Sequence, residues 1–167
     1  MPAIPDWALV LTFWIHFLSA VTLVGSLVAA SIIVLPAART LNPLDELNLI
    51  AAIQKRMEPA TWFSLSLLIV TGLFQMSVNV HYNGFLSVSN QWTIAILVKH
   101  ILVVALIVVS AVQTWDVFPT IRRLLLRKDK ASQDEVVKLQ GRATWLLRAN
   151  LILAILILGA TAFMRAA

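Results

Sequence analysis

The sequence predicts an all-α integral membrane protein, an up-down four-helix bundle in one transmembrane domain over residues 1–167. Three observations carry that prediction. Hydrophobic residues make up 60% of the chain and charged residues only 13%, where a soluble domain is nearer half and a quarter. The mean hydropathy is +0.87, an apolar excess that a core of this size could not hide from water. Four separate apolar stretches are each long enough to cross a bilayer core, which takes about 20 residues in a helix.

The first span runs from about Trp7 to Leu35 and is expected to stop at Pro36, because proline lacks the amide a helix interior needs. The apolar start carries no Lys or Arg before a run too long for a cleaved leader, so it reads as a retained helix. The second span covers about 60–80, the third 91–118 and the fourth 143–163. Tryptophans mark the ends: Trp7 and Trp92 on one side, and Trp62, Trp115 and Trp145 on the other. Amphipathic rings gather in this way at headgroup level.

Of 13 Lys and Arg, all except Lys99 and Arg165 lie between Arg39 and Arg56 or between Arg122 and Arg148. The loop HYNGFLSVSN has none. The positive-inside rule then puts both termini outside and the two basic loops in the cytoplasm, in an inner (cytoplasmic) membrane. The formal charge of +5 is therefore topological, made for anionic lipid rather than nucleic acid. With no cysteine, disulfides, thiolate metal sites and thiol catalysis are excluded.

Helix starts are written into the basic loops. Asn42-Pro43 followed by Asp45 and Glu46 is a cap, a first-turn proline and two first-turn acids. Ser132-x-x-Glu135 is a capping box. Spans two and four are thus expected to begin as amphipathic extensions, with Pro59 bending the second where it enters lipid.

A polar group inside hydrocarbon is costly unless paired, and so marks function. The set is short: His16, Gln75, Lys99, His100, Asp116, Arg148 and Asn150. His16 follows Trp7 by nine residues and His100 follows Trp92 by eight, so both lie about 12–14 Å below the outer interface. Gly72 and Gly159 fall near that depth on the other two helices. Two imidazoles from facing helices, with glycine clearance, are what one haem b inside a bundle requires. The leading expectation is a b-type cytochrome subunit passing single electrons within or beside a larger redox complex, with His16 and His100 as axial ligands. Lys99, about 100° around the helix from His100, is placed to meet a propionate or another bound anion, with Arg165, Tyr82 and Asn83 further out. Against this stands ordinary packing: intramembrane histidines hydrogen-bond, and membrane glycines let helices approach closely.

Asp116 and Arg148 read as an ion pair near the cytoplasmic boundary, and Gln75 and Asn150 as interhelical hydrogen-bonders. Met76, His81 and Met164 gather on the outer side and are of the soft or borderline kind that suits copper, particularly Cu(I), although no Met-x-x-Met or His-rich tract is present.

The run from Arg56 to about Leu124 resembles the copper-resistance D (CopD-like) membrane family. The matching features are Arg56 before the second span, Thr71-Gly72 near its end, LVKHILVVALIVV with Lys99, and the basic exit PTIRRLL. His16, followed by Ala20 and Gly25, also looks like that family. The HemJ-type protoporphyrinogen oxidases, with an early His and a third-span Lys, are similar in pattern. The resemblance implies either copper uptake and handling or porphyrin chemistry. His16 and Lys99 match its intramembrane polar positions, while His100 is an added imidazole that favours haem.

Overall fold

The computed structural model describes residues 5–78, 91–127 and 132–166. It consists of four long helices, all of them long and apolar enough to cross a membrane: α1 (Asp6–Ala38), α2 (Pro43–Ser77), α3 (Thr93–Leu126) and α4 (Gln133–Met164). The loop carrying His81, Tyr82 and Asn83, and the side chains of Trp92 and Arg165, lie outside the described residues. Successive helices run antiparallel. α1 packs chiefly on α2 and α3 on α4, with α1 also against α4, and the closing turns of α3 against α2. The two helices carrying the histidines, α1 and α3, therefore lie across the bundle from each other.

The predicted starts hold. Asn42 accepts the Asp45 amide at 3.0 Å, and Ser132 accepts the Glu135 amide at 3.2 Å. Spans two and four begin well before their apolar stretches, as expected of extensions. The predicted stop at Pro36 does not hold: helix α1 passes through it to Ala38, and α3 likewise runs through Pro119 to Leu126. In each case a π-helical segment precedes the proline: Ala29–Val34 before Pro36, and Gln113–Val117 before Pro119. A proline ring clashes with the carbonyl four residues earlier, here Ile32 and Trp115. Both carbonyls sit inside the widened turns, and the wider ring of a π-turn gives the clash somewhere to go.

Two apolar clusters hold the bundle. One, at the basic end, joins Leu47 and Ala51 of α2, Val117, Phe118 and Ile121 of α3, and Val136, Leu139 and Leu146 of α4. The other, mid-bundle, brings Leu23 and Leu27 of α1 against Leu65, Leu106, Leu147 and Ala154. The outward faces are as apolar as the core: Phe17, Ile33, Phe63, Ile101 and Ile152 are all more than half exposed. A contiguous apolar surface of this kind needs lipid around it. Trp62 and Trp115 stack at 5.2 Å between centroids, which puts two of the three tryptophans assigned to one interface at one level.

One sequence expectation is corrected here. Asp116 pairs with Arg142, Nη2 to Oδ2 at 2.6 Å, and not with Arg148. Gln113 lies opposite Asn150, so on antiparallel helices Asp116, nearer the basic end, faces an earlier part of α4, where Arg142 stands. Both members of the pair are 53% exposed, where ion pairs contribute about 0–1 kcal/mol. Asp116→Asn is accordingly expected to leave the thermal midpoint of the detergent-purified protein nearly unchanged; a shift of many degrees would show the pair to be structural.

Candidate functional site: a histidine layer above a buried polar cluster

His16 stands three residues before Ser19 on the face of α1 that buries Ser19, Leu23 and Leu27, so helical periodicity turns it toward the bundle. There its Nδ1 lies 2.7 Å from Thr71 Oγ1 on α2. The Thr71 hydroxyl hydrogen is already committed, because Oγ1 donates to the Leu67 carbonyl at 2.5 Å. Thr71 can then only accept from His16, which fixes the proton on Nδ1 and leaves the neutral ring's lone pair on Nε2. Gly72 lies directly under the ring: a Cβ there would stand 3.4 Å from His16 Cε1. The missing side chain makes room for the imidazole itself.

His100 is half-buried on α3. Its Nδ1 is 2.7 Å from the Ile96 carbonyl, one turn back on its own helix. A carbonyl only accepts, so Nδ1 carries a proton there too. A ring nitrogen held by a hydroxyl or carbonyl is the arrangement that metal-ligating histidines show in their outer shell. Lys99, half-buried beside His100, lies within electrostatic range of His16 across the bundle. The structure thus gathers His16, Thr71 and Gly72 at one level. Gly159 is not part of this group: it is exposed, with open space where a Cβ would stand. Met76 is buried about one turn beyond Thr71, and Gln75 Nε2 bonds the Thr12 carbonyl at 3.4 Å, pinning α2 to α1 as an interhelical hydrogen bond should. Among the described residues no three His, Asp or Glu side chains converge.

About 10–15 Å further along the helices, toward the basic end, lies a second polar feature that the sequence reading touched only at Asn150. Asn150 is 2% exposed; its Nδ2 donates to Gln113 Oε1 at 2.9 Å and its Oδ1 accepts from Ser110 Oγ at 3.4 Å. Trp62 Nε1 donates to Thr114 Oγ1 at 3.3 Å. With Gln54, Met57 and Thr61 these side chains border a cavity of about 10 Å³, about the size that holds one water. The signal for it was present as Ser110, Gln113 and Thr114 at spacings of three and four on one helix.

The copper resistance protein D (CopD) family model matches residues 51–164, which takes in Thr71, Gly72, Lys99, His100 and Asn150; the first span, with His16, lies before the matched region. No curated protein and no solved structure matches the chain. A match over most of the sequence, on a fold of four apolar helices, gives the assignment: the chain belongs to the copper resistance protein D family, as a multi-pass membrane protein.

Proposed function

We propose that this protein passes copper through the bundle, with His16 and His100 as the intramembrane ligands. The observation that carries this reading is the hydrogen bonding of the two rings: each donates Nδ1–H to an oxygen, His16 to Thr71 and His100 to the Ile96 carbonyl, as metal-ligating histidines do in their outer shell. Imidazole and thioether are donors that suit copper, and Cu(I) in particular, and the buried Met76 lies on the side from which the positive-inside orientation would have the ion enter. Lys99 has a part in this scheme. A cation path needs sites strong enough to fill and weak enough to empty, and an ammonium near His16 keeps the ion from resting there. Below the histidines, the oxygens of Ser110, Gln113 and Asn150 and the thioether of Met57 line the way inward.

The same two imidazoles would serve the axial positions of a haem b, so single-electron transfer beside redox partners is the second reading. Its support is thinner, because the glycine clearance it relied on is otherwise used. Gly72 is filled by His16, and Gly159 opens outward.

Purified protein in liposomes separates the two. Copper accumulation driven by an imposed gradient, with no Soret band in the visible spectrum, is the expected result. A Soret band that shifts on reduction, with no copper movement, would replace the proposal by the haem reading.

A further inference from the structure

At the basic end, away from the histidine layer, a cleft of about 420 Å³ opens between the end of α1, the start of α2 and the first turns of α4. Its polar lining is Arg39, Glu46, Gln140, Thr144 and Arg148, with Trp145 at the edge. Glu46 is the unusual member. It is 3% exposed, its Oε2 accepts from Gln140 Nε2, and its Oε1 has no hydrogen-bond partner. Buried carboxylate oxygens are satisfied in nearly all folded proteins, so an orphan bordering a cleft calls for a donor from outside. Arg39 and Arg148 are exposed on the same cleft, and no ion pair among the described residues involves either of them or Glu46.

The charges of the lining are two guanidiniums and one carboxylate, a formal sum of +1. Its complement is a monoanion that also carries a neutral hydrogen-bond donor. Arginine forks bind phosphate oxygens in pairs, and the orphan Oε1 would take a hydroxyl. Trp145 is 66% exposed beside the cleft, as an indole at headgroup level is, and the apolar faces of the bundle continue from it into lipid. These features belong to a lipid's phosphate rather than to a free one. We propose that the cleft is a headgroup site for a phosphodiester lipid with a hydroxylated headgroup, of the phosphatidylglycerol type, its phosphate on Arg39 and Arg148 and a hydroxyl donating to Glu46.

The test uses the full chain purified in mild detergent, with lipid retention read by native mass spectrometry and by the thermal midpoint. Phosphatidylglycerol is expected to be retained in preference to phosphatidylcholine and phosphatidic acid, and to raise the midpoint. Arg39→Gln with Arg148→Gln should lower that retention about tenfold or more. Both side chains are exposed, so the fold does not depend on them. Glu46→Gln should erase the preference over phosphatidic acid while binding of the phosphate persists. Equal retention of phosphatidylglycerol and phosphatidylcholine, or retention unchanged in the double variant, would overturn the proposal. So would displacement of the lipid by millimolar inorganic phosphate, which would make the cleft a free-phosphate site.

Discussion

Replacing His16 by alanine is expected to abolish copper movement in the liposome assay while leaving the bundle folded. The ring is one of the two imidazoles proposed as ligands, and no other residue on its face of α1 offers a nitrogen. Its loss removes a hydrogen bond to Thr71 and some packing over Gly72. Two graded controls separate ligation from mere packing. Thr71→Val keeps the shape of the Thr71 side chain and removes the acceptor for Nδ1–H; losing such an outer-shell partner typically costs about 10–100-fold in metal affinity. The rate should fall partway. His16→Gln keeps a polar side chain in the layer without the imidazole and is expected to behave like the alanine variant. If His16→Ala transports copper at the wild-type rate while Thr71→Val is also silent, the histidine layer has no part in the activity, and the imidazole is a packing residue.

The largest effect on stability is expected at Asn150. Substitution by leucine, of similar volume, strands Gln113 Oε1 and Ser110 Oγ in the core. A buried group left without a partner costs about 1–3 kcal/mol in water-soluble proteins. Interhelical hydrogen bonds within membranes average about 0.6 kcal/mol, because the separated helices find other partners there. A loss of about 2 kcal/mol, read as a fall in thermal midpoint, is the resulting expectation. The double variant Asn150→Leu, Gln113→Leu removes both ends of the bond and should recover part of the loss, since apolar replacement of both partners is far less costly than orphaning one. A double variant as unstable as the sum of its parts would show that the two side chains act independently, and that the cavity's polarity rather than its pairing sets the stability.

Part of the site was expected from spacing and residue type. Offsets of eight or nine residues from a tryptophan give His16 and His100 an expected common depth. Gln75 and Asn150 were foreseen as interhelical bonds because an amide in hydrocarbon has nowhere else to go. Distances along a helix survive folding, and so do such desolvation costs. The identity of partners across helices does not follow from them. Thr71 as the acceptor for His16, Arg142 rather than Arg148 for Asp116, and the outward aim of Gly159 all depend on how the helices are rotated and shifted against one another. Glu46 was read only as a first-turn acid. Its burial arises because α4 packs over the start of α2, a contact between residues 94 positions apart.

By itself the sequence determined the solvent, the count of spans, and the capped starts of α2 and α4. Each of these follows from composition or from local capping chemistry. The tertiary structure alone decided how the prolines at 36 and 119 are carried inside continuous helices, which oxygen the Nδ1 of each histidine meets, and where a buried carboxylate stands without a donor. Those outcomes depend on which groups from different helices come within hydrogen-bond reach, and no periodicity along one chain records that.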